Sequence, residues 1–404
     1  MINTIENIKA ERVLDSRGNP TLKVTVYSTG EEASFSVPSG ASTGTHEAHE
    51  LRDEDGKGVD GAIEKIHTLV LGALKGQDIF DQRNIDNILI NLDGTKNKEN
   101  LGGNSMLGVS IACAKLAAKL KGIQTFEYLR TLARVMPSRQ TPYLYMNLIN
   151  GGKHAHNGLA FQEYLVVPDT TNPKEAVDMA LQIQDSLQNI LSVKYGMTDM
   201  PYGDEGGIAV KMEDIRFPLM ALKEVLVENK LENKVRFALD VAATSFYKNG
   251  LYKVNGQELN SDEMHKIYKS LIAEFNLLSV EDPFHEEDFE NYRKLKDDNG
   301  ALLVVGDDLT VTNKDLVQLA IKNGSINAMI IKPNQIGTLS ETLDTMKLAR
   351  DNNIELIVSH RSGETTDDFI ADLAFAFGVF GLKAGSPKKE ERMAKYRRLI
   401  EISN

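Results

Sequence analysis

Six short apolar runs in the latter part of the chain each end on a group that can carry charge. VRFAL ends at Asp240, FNLLSV at Glu281, LLVVG at Asp307, INAMII at Lys332, IELIVS at His360 and VFGL at Lys383. A run that reads as a buried strand has no packing reason to finish on a carboxylate, an amine or an imidazole. One strand-end acid is explained by capping of the next helix or turn. Six in succession, of both signs, are not. The acids come first and the bases after. Three carboxylates brought to one place repel and raise each other's pKa, a cost that a divalent cation removes. An all-oxygen ligand set favours Mg²⁺, with Mn²⁺ as the alternative. Asp307 is the expected ligand of the Asp307-Asp308 pair, because neighbouring side chains diverge at a strand end. A lysine beside such cations is expected to have a lowered pKa and to act as a base. Metal plus lysine suits removal of a proton α to a carboxylate.

The spacing of these runs says what positions them. They recur at intervals of roughly 25 to 40 residues, the length of a strand, a loop, a helix and a return, and titratable groups at successive strand ends are the mark of a (β/α)8 barrel. Asn172-Pro173 and Asn260-Ser261 read as helix starts, the first helix ending near Gly196, and Asn323-Gly324 and Gly337 punctuate later units. The earlier part reads differently. Residues 22–28 and 33–38 alternate about the turn TGEE as a hairpin. Ile85, Ile88, Leu89 and Leu92 have helical spacing, and a second helix covers 104–120 and stops near Gly122. VMPSRQTPY, 135–143, carries two prolines and no periodicity. The expected fold is therefore α/β: an N-terminal α+β domain over 1–134, antiparallel sheet plus helices, and a TIM-like barrel over 135–404.

Bulk properties exclude other classes. The 404 residues are 41 % apolar, enough for real cores. A net charge of −12 argues against nucleic acid as partner. No 18-residue apolar window and no N-terminal apolar segment are found, so neither a membrane role nor a secretory signal is expected. The single cysteine, Cys113, lies in a helical apolar run and reads as a core thiol in a reducing cytoplasm.

Longer stretches then carry a resemblance. RVLDSRGNPT (12–21), VPSGASTGTHEA (37–48), MNLINGGKHAHN (146–157), FQEY (161–164), GDEGG (203–207), ALDVAA (238–243), SVEDPF (279–284), GDDLTVTN (306–313), IKPNQIGTLSET (331–342), SHRSGET (359–365) and LKAGSP (382–387) run in order over nearly the whole chain. Together they resemble the enolase family. The resemblance implies an enolase-type barrel and the Mg²⁺-dependent, reversible dehydration of 2-phosphoglycerate to phosphoenolpyruvate in glycolysis and gluconeogenesis through an enediolate. It implies that Asp240, Glu281 and Asp307 hold the tightly bound Mg²⁺, and that Ser39, in a mobile SGASTG loop, helps bind a second. Lys332 then takes the C2 proton, and Glu205, with Glu163 beside it, protonates the leaving C3 hydroxyl. Arg361 and Ser362 bind phosphate, as suits a guanidinium fork. Lys383 binds the substrate carboxylate, and His154, Gln162 and His360 make further contacts. A homodimer or octamer and a cytoplasmic location are implied too.

The chain departs from the family pattern in places. GDEGGIAV has Ile208 and Val210 where GDEGGFAP is usual, Ser245 and Thr366 replace acids, and the chain stops at ISN where most of the family runs further. HEAHE (46–50) lacks the spacing of a zinc helix and reads as a solvated loop or helix start, and KKEER with KYRR (388–398) reads as a solvated helix face. The rival readings are a cell-surface or secreted pool that binds plasminogen, weakened by the terminal Asn404, and a superfamily dehydratase or cycloisomerase acting on a non-phosphorylated acid.

Overall fold

The computed structural model describes residues 3–40, 44, 46–155, 157–212 and 214–404. Residues 41–43, half of the expected SGASTG lid, and residue 45 lie outside the described residues. Strands β1 (Asn7–Leu14), β2 (Pro20–Ser28) and β3 (Glu31–Ser36) form an antiparallel sheet. The hairpin is tighter than TGEE suggests. Ser28 pairs with Glu31, so the turn is Thr29-Gly30 alone, both at positive φ, the two-residue geometry that matches strand twist. The sheet packs on the helix Gly103–Lys121, where Gly108 leaves room for Val24. That helix ends at Gly122 in the left-handed region, and Cys113 is buried within it, where loss of solvent pushes its thiol pKa up. On the helix Gln82–Asp93, Ile85 and Leu89 are fully buried, whereas Leu92 at the edge of the apolar stripe stays exposed.

From residue 143 the strands close on themselves. β4 (Tyr143–Asn150), β5 (Glu163–Pro168), β6 (Val235–Asp240), β10 (Ser279–Glu281), β11 (Leu303–Gly306), β12 (Ala328–Ile331), β13 (Glu355–Ser359) and β14 (Gly381–Lys383) form an eight-stranded barrel. The six expected strands are all present. A small antiparallel sheet, β7 (Tyr247–Lys248), β8 (Leu251–Val254) and β9 (Gln257–Leu259), fills the long interval between Asp240 and Glu281. One strand breaks the all-parallel expectation: β5 pairs antiparallel with both β4 and β6. Among its described residues the link from Asn150 to Glu163 holds only the short turn Gly152–His154, too little for a crossover helix, and the chain returns antiparallel.

Alternation along each strand sends one face into the barrel and the other toward the helices. Ala238, Val305, Ile330 and Ile357 fill the interior with Tyr145, Leu165 and Val167. Two residues on, the same parity delivers Asp240, Asp307 and Lys332 to the mouth. Because β5 runs the other way, its first residue, Glu163, reaches that mouth, in register with Asn150 and Asp240. The Asn172 side chain accepts from the N–H groups of Lys174 and Glu175, and Asn260 forms a capping box with Glu263, starting the helices Pro173–Val193 and Ser261–Phe275. No described helix is long and apolar enough to cross a membrane.

Candidate active site

At the mouth the carboxylates meet two lysines. Lys383 Nζ lies 2.8 Å from Asp240, 2.9 Å from Glu281 and 3.1 Å from Glu163, all essentially buried. Lys332 Nζ donates to Asp307, whose other oxygen accepts from Gln335 Nε2 at 2.9 Å. Burial works to lower the pKa of both lysines, but the carboxylates outweigh it and both are raised. At Lys332 the direction is opposite to that expected beside a cation, because here Asp307 faces the amine.

The acids respond in kind. Burial, then Asp240's charge, raises Glu281 well above the usual carboxylate range despite Lys383. Burial and the charge of Glu205 raise Glu163. Burial also acts to raise Glu205, but the cationic groups around it, His154 first, outweigh it, so Glu205 lies well below and Glu163 well above the usual carboxylate range. His154 Nε2 stands 3.4 Å from Glu205 and 3.9 Å from Glu163, and Asn147 donates to the other Glu205 oxygen at 2.9 Å.

The structure also corrects the expected divergence of Asp307 and Asp308. The strand stops at Gly306, and the following turn brings carboxylate oxygens of Asp282, Asp307 and Asp308 within 4.8 Å of one another. Asp282 was missed by sequence reasoning, though it directly follows Glu281. It accepts from the Asp307 and Asp308 N–H groups at 2.9 and 2.8 Å and from Tyr292 at 2.8 Å, and burial with Asp307's charge pushes it up to about 7.

The set fits a cation. Glu163 Oε2 and Glu281 Oε1 are buried without a hydrogen-bond partner, which buried carboxylate oxygens avoid unless an ion or water serves them. Glu163, Glu205, Asp240, Asp282, Asp307 and Asp308 line the central space against Lys332, Lys383 and Arg361, an excess of negative charge. That space measures about 30 Å³ and shares Arg361 with an adjoining cavity of about 460 Å³.

The opposite lip holds Arg361, Ser362 and His360, all buried. Arg361 donates to Glu47 at 2.8 Å and to Asn334 at 3.0 Å. HEAHE is a loop with both histidines exposed, but its Glu47 side chain, 6 % exposed, crosses from the N-terminal domain to hold a barrel arginine. Gly40 packs against that guanidinium so closely that an added Cβ would lie 2.0 Å from Arg361 Nη2. Ser39 lies buried nearby, donating to Asp15 at 2.8 Å and pairing with the Gly363 backbone. Gln162 is at the mouth with its Oε1 buried and without a partner. The KKEER–KYRR stretch needs a second correction. Arg392 and Lys395 are fully buried, because the helix Glu390–Ser403 turns these residues inward, where Lys395 pairs with Glu364 at 2.7 Å. The departures Ile208 and Val210 are both buried, and Ile208 bridges Ile149 and Tyr202, so they are absorbed by packing; Ser245 and Thr366 are exposed.

Comparison with known proteins agrees with this geometry. The family described as "Enolase, N-terminal domain" matches residues 5–129, and "Enolase, C-terminal TIM barrel domain" matches 138–404. The chain is similar to the enolase of Methanocaldococcus jannaschii, 45 % identical, to that of Thermococcus gammatolerans, 42 % identical, and to that of Methanococcus maripaludis, 43 % identical. Each alignment covers 98 % of this chain and 94 % of the relative.

Proposed function

The chain belongs to the enolase family and is a lyase of the phosphopyruvate hydratase type; from that premise we propose that it reversibly dehydrates 2-phosphoglycerate to phosphoenolpyruvate at the barrel mouth, and that the division at 134/135 separates capping and catalytic domains. The observation that carries the reading is the convergence of a lysine paired to a strand-end acid with a second pair of acids, Glu163 and Glu205, around one buried space.

Asp240, Glu281 and Asp307 would hold Mg²⁺, and Ser39 would serve a second ion. When bound, these cations draw charge from the substrate carboxylate, acidify the C2 proton and take Asp307's negative field away from Lys332. Lys332 accepts the proton from C2. The Glu163–Glu205 pair supplies a proton to the C3 oxygen, which leaves as water while the C2–C3 double bond forms. Arg361 and Ser362 hold the phosphate, with Arg361 kept in place by Glu47 and Asn334. Lys383 meets the substrate carboxylate, and His154, Gln162 and His360 line the remaining space. The packing of so many groups into a small, buried volume excludes water and strengthens each charge interaction. We assign assembly as a dimer or octamer and a cytoplasmic setting to the same reading.

The test is direct. Purified protein is mixed with 2-phosphoglycerate and Mg²⁺, and the ultraviolet absorbance of the conjugated product is followed with and without EDTA. A rise that EDTA abolishes and added Mg²⁺ restores is expected. Absence of any rise from folded, metal-loaded protein would overturn the reading.

A further inference from the structure

We infer that Arg392 is a positioning residue that fixes His360 as the neutral ring protonated on Nε2, with that N–H aimed into the reaction space. Arg392 lies on the helix Glu390–Ser403, 32 residues along the chain from His360, and is 0 % exposed. Its Nη1 stands 2.5 Å from His360 Nδ1. A guanidinium has donors and no acceptor, so at that distance Nδ1 must offer its lone pair. A neutral imidazole with Nδ1 accepting carries its proton on Nε2.

The same guanidinium is anchored from several directions, which makes the contact one of fixed geometry. It donates to the Arg361 carbonyl at 2.6 Å, the Ser362 carbonyl at 2.7 Å and the Asp204 carbonyl at 3.3 Å. One side chain therefore ties the segment 360–362 to the loop that carries Glu205. The far side of the ring is left for chemistry. His360 Nε2 is buried, makes no hydrogen bond, and faces Glu205 Oε1 at 3.5 Å across the central space. A buried donor without a partner beside a reaction space marks where an acceptor is to arrive. An imidazolium would set an Nδ1–H against the guanidinium donors, and burial already holds His360 well below its ordinary range. His360 is thus a fixed donor toward a substrate oxygen or Glu205 rather than a proton-taking base. That it acts on a substrate rests on the proposed function; the tautomer itself does not.

The test uses the full-length protein labelled with ¹⁵N-histidine and long-range ¹H–¹⁵N spectra, the His360 ring assigned by its loss in His360→Gln. The wild type is expected to show Nδ1 without and Nε2 with a proton between pH 6 and 8. Arg392→Met is expected to shift the ring toward a mixture of tautomers, and Arg392→Lys, which keeps a donor, to restore the wild-type pattern. A wild-type ring protonated on Nδ1, or on both nitrogens, overturns the inference even where Arg392→Met fails to fold. An unchanged tautomer in folded Arg392→Met does so too. If the wild type shows the expected tautomer but does not dehydrate 2-phosphoglycerate, the proposed function fails while the Arg392–His360 assignment stands.

Discussion

The two lips of the barrel mouth are built in different ways. The acidic lip, Asp240, Glu281 and Asp307 with Lys332 and Lys383, comes from strand ends of the barrel alone, each placed by the same alternation that fills the interior beneath it. The opposite lip, His360, Arg361 and Ser362, is held from outside: Glu47 of the N-terminal domain pairs with Arg361, and Arg392 of the C-terminal helix secures the segment from behind. A charge set by strand geometry needs little further support. A buried guanidinium held in one orientation needs partners on several sides, and these come from distant parts of the chain.

If the acidic lip does the chemistry, the largest effect belongs there. Lys332→Ala should lower turnover by roughly 10²- to 10⁴-fold, the range for general acid–base groups, and abolish solvent exchange of the C2 hydrogen in ²H₂O. Exchange at the wild-type rate would remove Lys332 as the base. Glu205→Gln sharpens the same contrast: dehydration slows while some C2 exchange survives.

The supporting contacts of the other lip should reveal themselves in binding and stability. Glu47→Gln leaves Arg361 buried without its carboxylate, and removing one partner of a buried pair costs about 3–5 kcal/mol. Urea unfolding should show that loss, together with a raised KM and a smaller change in kcat. If kcat alone fell, Glu47 would belong to the chemistry.

The two domains meet at a further buried acid, Asp86. It accepts from the Ser340 N–H at 2.8 Å, at the start of the helix Leu339–Asp351 that follows Lys332, and burial pushes its pKa up to about 6. A carboxyl raised in the folded state contributes stability below about pH 4 that is lost as pH rises through 6, about 3 kcal/mol in all. Asp86→Asn cannot ionise. Its stability relative to wild type should therefore improve between pH 5 and pH 7.5 in parallel thermal melts. A constant difference would mean that Asp86 does not titrate there. The smallest effect is expected at exposed Ser245, where Ser245→Glu, returning the acid usual in the family, should change stability by less than about 0.5 kcal/mol and leave kcat unaltered.

Much of this was legible in the order of amino acids. Six apolar runs ending in titratable groups announced the barrel, its mouth and the acidic lip, because a strand's alternation is local and two residues suffice to carry a side chain from core to solvent edge. Helix starts at Asn172 and Asn260 were legible for the same reason: a cap is satisfied by residues two or three positions away. Contacts of long range were not. Glu47 looked like part of a polar loop and Arg392 like one of several charges on a solvated helix, because nothing in HEAHE or KKEER distinguishes a side chain that faces water from one that faces another domain. The antiparallel run of β5, which places Glu163 at the mouth by its first residue, is set by how short its link to β4 is and where the barrel must close. The approach of the Lys332 amine to Asp307, and with it the raised pKa, depends on distances between strands rather than along them. Chain-local periodicity thus settles which residues reach the mouth. Only packing between distant segments settles what each one touches there, and so its charge, its tautomer and its orientation.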